Sequence, residues 1–578
     1  TVLPLLLARD MIVVQATLQF LGLLADKSSA VRNDICASNA LDQILQMLKD
    51  SDLKTQKLAA SLLRFLCCEM DAREQIKVYD GIGTVVNTQL HHLRLLNTPN
   101  VRLQWHLAWI VAQLAEDEET SQELGQIGAI PLIIAELSEI HDPKNRDLDD
   151  WLSMLTGLSA ALAYLSHQDS NATLIVQDNG IYILCRVVIA QLDFPEWKKN
   201  KNYSLLQCSC FRVLRLLFSL ERNRHFFKRL FPPDFFTQFI DIGHYVLDLT
   251  AYEGLMSDFQ HMMDIQGSDI QQAVEQINQK RAPINFIGQY AILEQLGAGA
   301  FGCVYKVKKK GSAVTTDPNL YALKEIFMHQ NMLEKESGET EKSFGDIISE
   351  VKIIRHQLRH PNIVRYRRVF VENEKLYIVM DLIDGASLKD HICSVKEKGM
   401  KFPEDRIWNI LIQLVLSLRY LHKEKHIIHR DLKPNNVMLT DNDNVVLTDF
   451  GLAKQRGESY LKSTAGTILY CCPEIVQNQP YGDKADIWAL GCCVYEMCRL
   501  TQPFYSQNML QLANSIVEAK YKPIETQLYS SDIINLVTGC LTPSPNDRPD
   551  IVGVAQMMSE KLLLFIDNER QQQQLKKR

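Results

Sequence analysis

The first 240 residues repeat themselves, and the period of that repeat limits the folds open to them more than any other feature. Five segments are apolar at helical spacing, with small residues where a neighbouring helix would press close. They are VQATLQFLGLLAD (14–26), TQKLAASLLRFLCCE (55–69), LQWHLAWIVAQLAED (103–117), MLTGLSAALAYLSHQ (154–168) and LQCSCFRVLRLLFSL (206–220). After the first four comes a second signal, in ASNALDQIL, YDGIGTVV, QIGAIPLII and QDNGIYIL: a turn residue, a small residue, then a new apolar helix. The small residue falls at Ala40, Gly81, Ala129 and Gly180, a spacing of about 40 to 50 residues. Strand-like alternation is almost absent here. Helical units recurring at this period bury their apolar faces by stacking on one another.

The period and the helix–turn–helix pattern resemble armadillo repeats, which form an all-α solenoid; a generic α-helical domain is the alternative. The resemblance implies a docking surface for a protein partner, or a face packed on a neighbouring domain. Phe231-Pro232-Pro233-Asp234 breaks the pattern. Residues 241–289, including GSDIQQAVEQINQKRAPINF, read as a helical linker whose helix ends at Pro283. The apolar opening TVLPLLLARDMIVVQATLQFLGLLA is interrupted by Arg9 and Asp10. It falls short of a membrane span, lacks the layout of a signal peptide, and reads as repeat core. The first residue is Thr1 rather than methionine, which reads as a cut point.

A chain of 578 residues is too long for one core. Its net charge of −7 argues against nucleic acid as an obligatory partner, because phosphate binding needs a concentrated basic surface. Three of its cysteine pairs are adjacent, Cys67-Cys68, Cys471-Cys472 and Cys492-Cys493. Adjacent thiols bridge poorly, so they read as reduced cysteines of a cytosolic or nuclear protein. A metal site is the weaker alternative, since no spaced CxxC pair or Cys/His cluster occurs.

From Tyr290 the texture changes. YAILEQLGAGAFGCVYKVKKK, LYALKEIFM, VRYRRVFVENEKLYIVMDLI and VVLTDFG alternate like strands, and from Phe402 onward helical patterns dominate. Gly297-Ala298-Gly299-Ala300-Phe301-Gly302-Cys303-Val304 is a GxGxxG segment between two strands. Alone it fits a dinucleotide fold or a plain hairpin equally well, but the strand that follows it disfavours the former. Glycines at this spacing let backbone amides close over a nucleotide's phosphates. Leu296 begins the same segment, and Lys324 lies on the next strand. A strand lysine reaches phosphates when a carboxylate steadies it, and Glu350 on a predicted helix is the natural partner. A surface ion pair is the plain alternative for either residue alone.

IIHRDLKPNNVML (427–439) and LTDFG (447–451) complete an ordered set, and with them the chain resembles the eukaryotic protein kinases over 290–560. The resemblance implies an α+β two-lobed kinase domain following the armadillo-like solenoid. It implies ATP and Mg2+ as cofactors and proteins as substrates. Asp431 would accept or orient the proton of the attacking hydroxyl, and Lys433 would sit beside the transferred group. Asn436 and Asp449 would ligate magnesium, which prefers hard oxygen ligands. Arg430 would couple the catalytic loop to a phosphorylated activation segment. Met380 would be the gatekeeper, ahead of a hinge of Asp381-Leu382-Ile383 whose backbone would meet adenine. Glu474 would pair with Arg548, and Asp486 would anchor the catalytic loop.

HRDLKPNN has the serine/threonine form, and Thr467 matches the threonine that serine/threonine kinases set against the catalytic aspartate. Ile468-Leu469 stands where Pro-Tyr is commoner, which leaves a dual-specificity kinase open as an alternative. A second alternative is a scaffold with a silent kinase fold, although Lys324, Asp431 and Asp449 are all intact. ISEVKIIRHQLRHPNIVRY, LYIVMDLIDGASLKDHI and NMLQLANSIVEAKYKPI resemble the NIMA-related (Nek) family. Cys471-Cys472 before Pro473-Glu474 departs from that family's pattern, as do insertions after Val304 and before Glu350. The insertions read as surface loops, or as modulators of the Lys324–Glu350 pair. The resemblance makes Ser463 the candidate regulatory phosphosite, with Thr464 and Tyr460 as alternatives, and implies a cytoplasmic, cytoskeleton- or cilium-associated or nuclear location. The expected domains are 1–240 repeats, 241–289 linker, 290–562 kinase and 563–578 polar helical tail. That tail would begin a coiled coil able to oligomerise.

Overall fold

The computed structural model describes the chain except residues 1, 39, 51, 95–99, 142–146, 245, 281–282, 284, 300–301, 311–319, 327–357, 374, 450–467 and 568–578, and the side chains of 89–94, 141, 298 and 299. It divides into two compact units, Thr1–Lys280 and Arg281–Arg578.

In the first unit the five repeated segments are the helices Met11–Lys27, Leu53–Leu66, Val101–Leu114, Leu148–Leu165 and Lys201–Phe218. Each packs on the next. Their starts are chemically alike. Asp10, Asp52, Asn100, Asp147 and Asn200 each accept a backbone N–H from two or three residues further on, which satisfies donors that a helix end leaves free. A short second helix follows the first four, at Ser29–Ala37, Met70–Val78, Glu118–Gln126 and Asp169–Gln177. A third then begins at the anticipated small residues, giving Ala40–Met47, Gly81–Arg94, Ala129–Ser138 and Gly180–Ile189. The reason for small residues is contact. A Cβ at Gly180 would lie 2.5 Å from the Ile175 carbonyl oxygen, and one at Gly81 2.9 Å from that of Ile76.

Polar contacts join equivalent turns of successive repeats. Arg32 Nε donates to Glu69 at 2.7 Å, Lys77 Nζ to Asp117 at 2.8 Å and Asn171 Nδ2 to the Ser121 carbonyl at 2.8 Å. No single described helix is long and apolar enough to cross a membrane.

The segment expected as a linker is helical but not free. Helix Glu253–Gln276 buries Leu255, Phe259, Met263, Ile270 and Val274 against helices Gly180–Ile189 and Lys201–Phe218. The helix is kinked at Gln266, and apolar residues four apart on each side of the kink are buried in the same core, so the segment belongs to the first unit. The second unit accordingly starts before Tyr290, with a short strand at Phe286–Ile287.

The second unit opens with a six-stranded antiparallel sheet. Its strands are β1 (Phe286–Ile287), β2 (Tyr290–Gly299), β3 (Gly302–Lys309), β4 (Leu320–Ile326), β5 (Tyr366–Glu372) and β6 (Lys375–Asp381), in the order β1-β2-β3-β4-β6-β5. Three short strands, β7 (Ala386–Ser387), β8 (Val437–Leu439) and β9 (Val445–Leu447), form a second sheet beside a helix-rich region. Helix Lys484–Arg499 is buried along almost its whole length. Helix Glu404–Arg419 buries an apolar stripe from Ile407 to Leu418 in the same core. A helix over 559–567 contributes Leu562 and Phe565 to that core, and the remainder of the expected tail lies outside the described residues.

Candidate active site

Register places the residues expected to form a phosphate loop. Across the β2–β3 hairpin Gly297 faces Val304, Ala298 faces Cys303 and Gly299 faces Gly302, with Leu296 just ahead on β2. Gly302 adopts φ +146°, and a Cβ there would lie 1.7 Å from the Glu325 carbonyl oxygen. Only glycine fits at that point of the motif. Ala300 and Phe301 lie outside the described residues.

Val304, Lys324 and Ile378 form one cross-strand row, and Ala322 and Met380 the next on the same face. Lys324 therefore sits on the face that carries Met380, one residue before Asp381. The Asp381 backbone N–H donates to the Arg365 carbonyl at 3.0 Å, and Ile383 follows in the turn after β6. Lys324 Nζ lies 2.6 Å from Asp449 Oδ1. Glu350 lies outside the described residues, so the carboxylate described beside Lys324 is Asp449.

The loop expected to be catalytic is held from behind. Asp486, within the buried helix Lys484–Arg499, accepts the backbone N–H of His429 at 2.8 Å and of Arg430 at 3.0 Å, and meets His422 Nε2 at 2.8 Å. Burial alone would raise the Asp486 carboxyl. The His422 hydrogen bond and the neighbouring histidines outweigh it, holding the carboxyl below its usual range. Arg430 and Asp449 both adopt left-handed backbone, at φ +68° and +53°. That conformation costs about 1–3 kcal/mol at a non-glycine residue and persists only where surroundings enforce it. Here Asp486 fixes the Arg430 N–H and Lys324 holds the Asp449 side chain.

On the loop itself, Lys433 Nζ lies 2.9 Å from Asp431 Oδ2. Asn436 Nδ2 donates to the Asp431 carbonyl at 2.7 Å and to its Oδ2 at 2.9 Å. Thr448 N donates to the Asn436 carbonyl at 2.9 Å, while His429 Nε2 contacts the Thr448 carbonyl at 2.9 Å. The residue just before Asp449 is thus tied to Asn436 and to the loop that presents Asp431. With the Asn436 amide nitrogen committed, its oxygen and the Asp449 carboxylate form the hard-oxygen donor set that suits magnesium. Asp431, Lys433, Asn436, Asp449 and Lys324 are all described here, linked by these contacts.

A pocket beside Asp431 and Lys433 is walled by Tyr470, Cys471, Cys472 and Tyr481. Behind it Arg548 donates to both Glu474 oxygens, at 2.7 and 3.0 Å, with both side chains buried. One element of this wall was not read from the sequence. Glu496, wholly buried, accepts from Tyr470 Oη at 2.6 Å and from Lys389 Nζ at 2.6 Å. It ties the pocket wall to helices Leu388–Glu397 and Lys484–Arg499. A glutamate inside the otherwise apolar run CCVYEMC was the available signal. Thr467 and the phosphosite candidates Ser463, Thr464 and Tyr460 lie outside the described residues.

Residues 290–562 match the protein kinase domain family. The chain is 51% identical, over 99% of its length and 57% of the relative's, to a serine/threonine-protein kinase of Caenorhabditis elegans. It is 44% identical to serine/threonine-protein kinase Nek10 of Homo sapiens, over 98% of this chain and 50% of that one. Serine/threonine-protein kinase Nek1 of Mus musculus is 36% identical over 46% of this chain and 21% of its own. The first two similarities take in the helical unit as well as the kinase domain, and the chain spans about half the length of these two relatives. A protein kinase domain match over residues 290–562 thus stands beside similarity to Nek kinases that runs along nearly the full chain.

Proposed function

We propose that residues 290–562 transfer the γ-phosphoryl group of ATP to serine or threonine hydroxyls of proteins. The carrying observation is the linked set of Asp431, Lys433 and Asn436 on one loop with Lys324 and Asp449 joined beside it. Magnesium held by Asn436 and Asp449 would offset the charge that develops on the transferred group.

The chain's residues supply the rest. Asn436 and Asp449 offer metal ligands, and Lys324 steadies the phosphates. Asp431 orients the acceptor hydroxyl and takes its proton, while Lys433 places a positive charge beside the group in transfer. The backbone of Asp381 and Ile383 receives adenine. In the same proposal the helical unit serves as an armadillo-type docking or regulatory surface for a protein partner, and the protein works in the cytoplasm.

A phosphotransfer assay of the purified protein against Asp431→Asn tests the reading. Loss of incorporation in the variant supports it, and equal incorporation overturns it. A peptide library tests the acceptor: predominant tyrosine labelling would overturn the serine/threonine assignment.

A further inference from the structure

Arg64, on helix Leu53–Leu66, is held against two aromatic rings and has no acid beside it. Its guanidinium carbon lies 4.1 Å from the centre of the Phe65 ring and 4.8 Å from that of Trp105, on the neighbouring helix Val101–Leu114. The side chain is partly buried, and the loss of water lowers its pKa. Among the described residues it makes no ion pair, and its Nε is buried without a hydrogen-bond partner. Asp26 acts on it from a distance, without a bond.

More positive charge converges on the same place. The His106 ring meets the Trp105 ring edge-on, with centroids 4.9 Å apart. Burial first, and then Arg64, Arg102 and Lys57, push the His106 pKa down to about 4. Three cations therefore act on one neutral imidazole. Of the three, Arg102 alone has an acid partner among the described residues, Asp150 at 3.0 Å.

These side chains form two rows. Lys57, Ser61, Arg64 and Cys68 are four, three and four apart on one helix, while Trp105, Trp109 and Gln113 are four apart on the next. The rows meet again where Gln113 Nε2 lies 3.2 Å from Cys68 Sγ. Trp105 and Trp109 pack on the core but stay partly exposed, and the Trp109 indole nitrogen is unpartnered. Eleven residues of helix rise about 16 Å, the length of about five residues of extended chain. A guanidinium steadied on rings presents its N–H edge as a fork that matches a carboxylate. The chain as a whole carries a net charge of −7, so an acidic peptide is attracted to this strip and repelled by the surface at large.

We propose that the face of Lys57, Arg64, Trp105 and Trp109 docks an acidic segment of a protein partner. A Glu or Asp carboxylate forks onto Arg64, and an apolar side chain of the same segment lies on the tryptophans. The proposal rests on the reading of the helical unit as a docking surface and supplies the chemistry of its partner.

The test is fluorescence anisotropy of a fluorescein-labelled peptide of alternating Glu and Ala, titrated with residues 1–578 beside its Gln and Lys counterparts. The Glu peptide is expected to bind at least about tenfold more tightly than the Gln peptide. Arg64→Gln should weaken it by about tenfold. Lys57→Gln, at a side chain with no ion pair to lose, should weaken it by about threefold. Circular dichroism checks that each variant is folded. Equal, measurable binding of the Glu and Gln peptides would overturn the proposal, as would Glu-peptide binding unchanged in both variants. Binding of the Gln or Lys peptide instead, lost in Trp105→Ala, would overturn the acidic preference and leave the docking surface standing. Binding of none of the three would overturn both.

Discussion

Lys324 Nζ lies 2.6 Å from Asp449 Oδ1, so strand β4 is clamped to the segment that follows β9 through two groups that face the proposed nucleotide. The side chains are 22% and 33% exposed, and a pair this open to solvent contributes about 1 kcal/mol or less. Its value is positional. Lys324→Met and Asp449→Asn are each expected to lower phosphotransfer by about 100-fold or more. The thermal midpoint should move by only about 4 °C or less. Phosphate incorporation and circular dichroism melting, measured side by side, check this; a large fall in the midpoint would make the pair structural instead.

Asp431 receives Lys433 and Asn436 on the same oxygen, at 2.9 Å each. Asp431→Asn keeps the shape and removes the charge and the proton acceptor. Turnover is expected to fall about 10²- to 10⁴-fold, while binding of a fluorescent ATP analogue stays within about threefold. Loss of nucleotide binding would show that Asp431 shapes the site rather than acting on the hydroxyl.

Much of this was legible in the sequence because the chemistry leaves few alternatives. Gly302 must be glycine, Asp431 and Asn436 must be five residues apart on one loop, and Ala40, Gly81, Ala129 and Gly180 must be small where helices meet. What escaped was relational. The run from Leu255 to Val274 reads as a helical linker until Phe259 and Met263 are seen buried against its neighbours. Glu496 reads as one charge in an apolar helix, and only the fold brings Tyr470 and Lys389, 26 and 107 residues away, to its two oxygens. Local patterns report faces and turns; the partner across a core is set by topology.

Arg548 and Glu474 form a two-pronged pair, at 2.7 and 3.0 Å, that is almost sealed from water. Removing one partner strands a buried charge. Arg548→Ala is expected to cost about 3–5 kcal/mol, read as a lowered urea midpoint for the kinase unit. Combining Arg548→Met with Glu474→Leu should cost less than the two single changes added together, because no charge is left unpaired. Strict additivity would mean that the two groups act separately.

Acid should weaken this same region. Burial alone would raise the Glu474 carboxyl, but the Arg548 bonds hold it below the ordinary 4.5. Asp486 is likewise held below 3.8, chiefly by His422 against the effect of burial. Each carboxyl is more acidic folded than unfolded. Its stabilisation is therefore complete above about pH 4.5 and drains away as pH falls through the folded value. Hydrogen exchange in helix Lys484–Arg499 should accelerate below that point. Asp486→Asn should flatten its share of the slope. Exchange that slows on acidification, after correction for the intrinsic rate, would contradict the assignment.

Cys472 is a buried member of the pocket wall, and burial pushes its thiol well above the ordinary value. Cys492 and Cys493 are buried and shifted the same way. The thiolate is the reactive form, so these cysteines should be inert despite lying near the catalytic loop. In the native protein iodoacetamide is expected to label exposed Cys68 first and to leave Cys472 unmodified, with phosphotransfer unchanged by mild peroxide. Cys472→Ala should retain activity within about twofold. Labelling of Cys472 at the rate of Cys68, with loss of activity, would instead make the pair a redox-sensitive element of the substrate wall.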